Sequence, residues 1–364
     1  MKVLCVCPIG LGNYLLTYPA CALLKKQNPH LELHLLALRN YIVDFAGADP
    51  LWHTVHVFDP TRIKHDFNSA LSTIIKLRQE KFDVSINFFA SNDWRYNLLV
   101  LLSGCKERYG FDYHLNSSRR LGFLLNHRIK VDPLLHDIRQ NQRLAASLFN
   151  QSSSSIDPVT FPELYSANEF TIAQQMFLSM STNPIKIAIH AGSSAENGMD
   201  AKRWEPANFA ALADKLCTHF HGEAYLFGGD EERSIKQQVA RAMQQPVHSI
   251  NACSLRTTAA MLKQCSLCLC NDSGLMHIAA CQQVPTVAIF GPTDEKRNGP
   301  WGVHTLVVRT PMAGFPVWKA ANVGNRKLEP GVDPRASLKA LSVQEAWEQI
   351  LPWLTTINVK HSTE

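Results

Sequence analysis

The chain has 364 residues, 46% apolar and 18% charged, with a formal net charge of +5 at pH 7. This suits a soluble globular enzyme of two ordinary domains. It contains no run of about eighteen apolar residues, so no membrane span is expected, and the small positive excess does not argue for nucleic acid.

The first seven residues hold one basic side chain in a short apolar run, which reads as an opening strand and not as a signal peptide. The expected order is a strand over 2–7, a glycine loop over 8–13 and a helix over 14–26, with Thr17 and Pro19 as its cap or kinked first turn. Strands follow over 31–38, 54–58 and 82–89, with helices over 67–79 and 94–102. This alternation predicts an α/β fold with a parallel, doubly wound sheet. The Gly10-Leu11-Gly12 loop lacks the third glycine of the dinucleotide fingerprint, so a nicotinamide site is not expected. Residues 114–130 mix Arg119, Arg120, Arg128 and Lys130 with leucines and Phe123. They read either as a solvated helix face or as a landing surface for a phosphorylated lipid acceptor. Residues 1–165 hold 18 basic and 14 acidic side chains and residues 166–364 hold 18 and 17, so most of the excess charge lies in the first half. That bias suits an anionic acceptor or membrane surface.

A serine run at 152–155, with Pro158, Pro162 and Pro184, marks the linker region. The helix over 166–180 is expected to bridge toward a second domain. The pattern then restarts with strands over 185–190, 224–227, 247–251 and 265–270 and helices over 208–220 and 255–263. Residues 299–331 read as loop-rich. A last helix over 342–354 is expected to fold back on the first domain. The domains expected are therefore 1–165, 166–341 and a terminal segment 342–364. The cysteines sit as small hydrophobes in strand-like runs, Cys5 with Cys7 and Cys268 with Cys270. No zinc site is expected, and a reducing cytoplasm is the natural compartment.

The most informative stretch is Asn271-Asp272-Ser273-Gly274-Leu275-Met276-His277, after an apolar strand. Asp272 or Ser273 can cap the helix that follows, and Gly274 lets a ligand approach. Such a helix start presents unpaired N–H groups and a positive dipole end, which suit a phosphate.

In order along the chain, the glycine loop Gly10-Leu11-Gly12-Asn13, Gly192-Ser193-Ser194, Lys202-Arg203-Trp204, Gly228-Gly229 with Glu232, and Asn271-Asp272-Ser273-Gly274 with His277 resemble the motifs of glycosyltransferase family 9. Its members are bacterial heptosyltransferases that move heptose from ADP-heptose onto lipopolysaccharide core. The resemblance implies the GT-B architecture, two doubly wound Rossmann-like domains facing a central cleft. The first would bind the acceptor and the second the nucleotide sugar, with no cofactor. It implies that Lys202 contacts phosphate, Asp272 the heptose hydroxyls and Glu232 the ribose. Cys253 and Leu255 would line the adenine. Ser193, Ser194 and the helix start at Ser273-Gly274 are further candidates for neutralising the leaving pyrophosphate. Trp204 and His277 are expected mainly to pack. The implied acceptor is anionic, lipid-linked or oligosaccharide, and reached by peripheral contact with the inner membrane from the cytoplasm. There is no Asp-x-Asp pair, so transfer is expected to need no divalent metal.

One position departs from the family. Where family members carry an aspartate base after the second glycine, this chain has Asn13, and a carboxamide accepts no proton at neutral pH. Three readings stay open. Another group such as Asp93 or a histidine acts as base, Asn13 only orients the acceptor, or the chain is a silent paralogue or disabled variant. A GT-B transferase with another donor also stays open.

Overall fold

The computed structural model describes residues 1–7, 10–59, 67–113, 120–151, 159, 161, 163–194, 196–318, 328 and 330–357. The chain divides into two compact units, one within Met1–Pro162 and the other starting at Glu163.

The first unit runs β1 (Lys2–Cys7), α1 (Leu11–Gln27), β2 (Glu32–Ala37), α2 (Val43–Ala46), β3 (Thr54–Val57), α3 (Phe67–Gln79), β4 (Val84–Asn87), α4 (Trp94–Leu102), β5 (Glu107–Asp112), β6 (His127–Lys130) and α5 (Asp137–Ser147). Its six strands pair in the order β3-β2-β1-β4-β5-β6, all parallel. Strands covered on both faces read as unbroken apolar runs, and five successive buried residues in both β1 and β2 follow that rule. Leu4, Val6, Leu36, Leu77 and Val100 build the core.

Two expectations change in this unit. The first helix starts at Leu11, so Pro19 lies inside it and does not shape its first turn. Among the described residues the basic stretch forms no α-helix: from Arg120 onward it is a single 3₁₀ turn over Gly122–Leu124 and then the edge strand β6, while Arg119 lies outside the described residues. Helix α5 is unforeseen because its sequence is polar. Its Gln140, Asn141 and Gln142 are nevertheless buried. The Asn141 carboxamide accepts from the Phe89 N–H at 2.7 Å and donates to the Leu16 carbonyl at 3.1 Å. One buried side chain thus ties α5 to α1 and to the chain leaving β4.

The second unit runs α6 (Ala167–Leu178), β7 (Lys186–His190), α7 (Pro206–Phe220), β8 (Glu223–Leu226), α8 (Arg233–Ala242), β9 (Val247–Ser249), α9 (Leu255–Lys263), β10 (Leu267–Asn271), α10 (Gly274–Cys281), β11 (Thr286–Ile289), α11 (Glu295–Asn298), β12 (Thr305–Val308), α12 (Ala336–Ala340) and α13 (Val343–Leu354). Its strands pair in the order β12-β11-β10-β7-β8-β9, again all parallel. The region expected to be loop-rich contributes β12. The last helix belongs to the second unit: Ala346, Ile350 and Leu354 of α13 complete its core with Phe209, Leu212 and Val308. All ten cysteines are free thiols. Cys265 and Cys268 have a Cys-x-x-Cys spacing, and both are buried.

Each sheet reverses its strand order once, between β1 and β4 in the first unit and between β7 and β10 in the second. Doubly wound sheets bind ligands at the carboxyl ends of the strands at this reversal. No helix among the described residues is long and apolar enough to cross a membrane.

Helix α6 opens with a capping box. The Ser166 hydroxyl accepts from the Glu169 N–H, and the Glu169 carboxylate accepts from the Ser166 N–H at 2.6 Å. The same carboxylate takes a two-point pair from Arg256 of α9, at 2.7 and 2.9 Å. These bonds hold its pKa down to about 2. A carboxyl depressed in the fold contributes stability above its ordinary value of 4.5, and that contribution fades as the pH falls toward 2. Glu169→Gln is therefore expected to cost on the order of 2 kcal/mol at pH 7, as loss of charged hydrogen bonds does. Chemical denaturation across pH should show the gap between parent and variant closing below pH 4.5. A gap that stays constant down to pH 2 would contradict this.

Candidate active site

In the second unit the candidate residues lie on four of the segments that leave the carboxyl edge of the sheet, those after β7 (191–194), β8 (227–229), β9 (250–254) and β10 (272–273). Asn271, the last residue of β10 and fully buried, joins two of the segments there. Its amide donates to the Ala191 carbonyl at 2.7 Å and its oxygen accepts from the Trp204 N–H at 3.1 Å. Trp204 is itself locked, its indole N–H donating to the Leu341 carbonyl at 3.1 Å. As expected from its sequence context it packs, edge-on against Phe209.

This fixes where Lys202 and Arg203 go. The Lys202 ammonium pairs with the Asp272 carboxylate at 3.1 Å, and both side chains are largely buried. Arg203 turns to the loop after β7, where its Nε donates to the Ser193 hydroxyl at 3.2 Å and its Nη2 to the Ser193 carbonyl. The Ser193 hydroxyl in turn donates to the Met199 carbonyl at 3.1 Å, while Ser194 is exposed. Ser273 caps α10, its hydroxyl accepting from the Met276 N–H at 3.4 Å, and Gly274 opens the helix. His277 is buried within α10.

A buried polar chain runs beneath these residues. His190, the last residue of β7, contacts the Ser273 hydroxyl through Nδ1 at 3.0 Å and the Glu232 carboxylate through Nε2 at 3.1 Å. Glu232 also accepts from the Gly229 N–H at 3.2 Å. Burial pushes the Glu232 pKa up, but the bonds from His190 and Gly229 and the charge of Arg203 outweigh it and hold it below the usual value. Glycines make room for this carboxylate. A Cβ on Gly192 would lie 1.8 Å from its Oε1, and Gly228 has φ +139° and would meet its Oε2 at 2.6 Å. Lys236 of α8 ties two neighbouring loops by donating to the Gly228 and Ile250 carbonyls at 3.1 and 2.7 Å. Beyond that tie, Cys253 is half-buried with its Sγ 3.3 Å from the Thr258 hydroxyl, and Leu255 starts α9.

The fold thus brings Ser193, Lys202, Glu232, Asp272, Ser273 and Gly274 to one edge, at the strand-order reversal, with Cys253 and Leu255 at the outer end of the same edge. His190, Asn271, Arg203 and Lys236 were not picked out as site residues. The available signals were a histidine and an asparagine ending apolar strands, where a polar side chain has no packing role.

In the first unit Gly10 precedes α1 with φ +118°, a conformation that favours glycine, and Gly12 and Asn13 lie in the helix's first turn. Asp93 caps α4, and both its oxygens are engaged by Arg95 at 2.8 Å. Burial raises its pKa, but the Arg95 bonds prevail and hold it below the usual carboxylate range, which makes it a poor proton acceptor. The acceptor candidates separate. The Arg120 guanidinium lies 5.1 Å over the Tyr113 ring at the end of β5, while Arg128 and Lys130 are exposed along β6.

Comparison with known proteins agrees with this organisation. The family model of glycosyltransferase family 9 (heptosyltransferase) matches residues 71–321. Lipooligosaccharide heptosyltransferase 2 of Campylobacter jejuni is 24% identical over 306 residues, 83% of this chain and 85% of its own. Lipopolysaccharide heptosyltransferase 2 of Escherichia coli is 23% identical over 327 residues, 85% of this chain and 88% of its own. The Haemophilus influenzae lipooligosaccharide heptosyltransferase 2 is 30% identical, but over 114 residues and a third of its length. Among solved structures, a family 9 glycosyltransferase of Veillonella parvula superposes with a TM-score of 0.75 at 21% identity, covering 98% of both chains. The Escherichia coli ADP-heptose lipopolysaccharide heptosyltransferase II gives 0.73 at 20% identity, covering 98% of this chain and 99% of its own. The shared fold is the GT-B type, built from two doubly wound units. With a family match across more than half its length, this chain is a glycosyltransferase and belongs to glycosyltransferase family 9, the heptosyltransferase family.

Proposed function

We propose that the chain transfers heptose from ADP-heptose to a lipopolysaccharide core acceptor, with inversion at the anomeric carbon and without a metal cofactor. The observation that carries this reading is the carboxyl edge of the second sheet, where the α10 N-terminus, Lys202, Asp272, Ser193 and Glu232 converge. The relatives' names supply the sugar and the acceptor class. In the reaction the acceptor oxygen bonds to the anomeric carbon as the bond from that carbon to the diphosphate oxygen breaks. ADP leaves with the electron pair, and the hydroxyl proton passes to a base. Lys202, Ser193 and the free N–H groups of α10 stabilise the charge that grows on the diphosphate. The Asp272 carboxylate, freed from Lys202 when phosphate takes its place, accepts from sugar hydroxyls. Glu232, backed by His190, faces the ribose, and Cys253 and Leu255 line the adenine.

The acceptor belongs on the first unit, against Gly10, Gly12, Asn13 and the basic groups Arg120, Arg128 and Lys130, with Arg119 beside them in sequence. Phe123 and Leu134, 69% and 86% exposed on either side of β6 in the chain, suit a lipid-linked acceptor met at the cytoplasmic face of the membrane. The direct test incubates the chain with ADP-heptose and a heptose-deficient lipopolysaccharide acceptor, with and without a chelator. Release of ADP with a gain of one heptose on the acceptor, unchanged by chelator, is expected. No transfer from ADP-heptose, with transfer from another nucleotide sugar, would contradict the donor assignment.

Lys202→Ala is expected to lower turnover by about a hundredfold or more, as loss of a charge contact to the transition state does. Because the variant also leaves the buried Asp272 carboxylate without its cation, its thermal midpoint should fall, and turnover is compared at a temperature where both proteins are folded. Parental turnover at saturating donor would remove Lys202 from the site.

Asn13→Asp tests the missing base. Position 13 is in the first turn of α1, where an acidic side chain is favoured by the helix dipole, so the substitution should not unsettle the fold. Because Asp93 is engaged by Arg95, Asn13→Asp is expected to raise kcat by about 10²–10⁴-fold, the usual worth of a general base, and to add an acidic limb to the pH–rate profile. Unchanged or lower turnover would mean that the chain already has its own base.

A further inference from the structure

We infer that the first unit carries a zinc-binding site at the amino edge of its sheet, formed by Glu32, His34 and His53. Glu32 and His34 are two residues apart on β2 and so point to one face. His53 immediately precedes β3, its N–H donating to the Leu33 carbonyl at 2.8 Å. The potential ligand atoms of the three side chains lie within 4.8 Å of one another. His53 Nε2 is 4.0 Å from Glu32 Oε2, and the His34 and His53 rings are 5.1 Å apart. From the sequence alone no zinc site of any kind is expected. This ligand set uses no thiolate and is invisible in the sequence because α2 and the loops on either side of it separate its members.

His34 supplies the second, independent observation. It is 1% exposed, and its Nε2 has no hydrogen-bond partner among the described residues. Its Nδ1 meets His56 Nε2 at 3.2 Å, and the Phe82 ring stands edge-on to both. Buried polar atoms are rarely left unpaired, because desolvation then goes uncompensated. With His34 Nδ1 donating to His56, Nε2 presents its lone pair, as in metal-bound histidines whose far nitrogen is held by a second residue. Two imidazoles and one carboxylate suit zinc, which would hold them at about 2.0–2.2 Å with water completing the tetrahedron. His53 and Glu32, 57% and 44% exposed, can swing inward to close that distance, while His34 stays fixed. The ion would pin the start of β2 to the approach to β3, at the end of the sheet opposite Gly10 and Asn13.

The test treats the purified full chain with a chelator, removes it, and titrates zinc chloride while following calorimetric heat and thermal midpoint. Cobalt chloride reports geometry through visible absorption, and magnesium chloride is the control. One zinc equivalent, a raised midpoint, a tetrahedral cobalt spectrum and no response to magnesium are expected. Glu32→Gln and His53→Ala change exposed side chains and should fold as the parent does, yet each should weaken zinc by more than the about 10–100-fold that loss of an outer-shell partner costs. No zinc binding at micromolar concentration, or the same affinity in both variants, would overturn the proposal.

Discussion

A single buried carboxamide sets the geometry of the second unit's edge. Asn271 has no exposed surface, and its amide must be satisfied from within the protein. Donating to Ala191 and accepting from Trp204, it fixes the loop after β7 and the Lys202–Trp204 segment against the end of β10. Lys202 then falls against Asp272, and Arg203 against Ser193. The cationic groups are held by backbone and buried partners before any ligand arrives. That preorganisation makes electrostatic stabilisation effective in a transition state.

The layer beneath follows from the same economy of space. Ser273 caps α10 and also meets His190, which meets Glu232, so the helix start and the Glu232 carboxylate share one buried histidine. Gly192 and Gly228 leave the room that this carboxylate occupies. The first unit repeats the topology with different chemistry. Its Gly10 turn places Asn13 in a helix's first turn, and the carboxylate of Asp93, in the loop after β4, is spent on a cap and on Arg95. One unit therefore holds an organised set of charges, and the other holds a loop without an available base at position 13.

Much of this was legible in the chain. Buried parallel strands appear as apolar runs, so β1, β2, β7 and β10 were found within a residue or two, and the glycine- and serine-rich turns after β1, β7 and β10 followed. The ordered motifs gave the family and, with it, the two doubly wound units. What escaped had specific physical causes. Helix α5 buries Gln140, Asn141 and Gln142, a face that a hydrophobic pattern cannot show. The edge strand β6 and its neighbour β5 carry charged residues, several of them exposed, which breaks the apolar run that marks the other strands. Helix α13 has an apolar face whose destination no local pattern encodes. His190 and Asn271 act through partners 42 to 83 residues away in sequence, a distance at which spacing rules are silent.

The central claim is that the edge organised by Asn271 is where the donor nucleotide binds. Calorimetric titration of ADP into the full chain and into Asn271→Asp tests it most directly. A carboxylate there can still accept from Trp204, but it would turn a charge against the Ala191 carbonyl in place of a donor. The account predicts that ADP binds the parent and that UDP and GDP bind far more weakly. It also predicts that Asn271→Asp loses at least about tenfold in ADP affinity, equivalent to about 1.4 kcal/mol. ADP binding that is absent, or that is equal in parent and a folded Asn271→Asp variant, would contradict it.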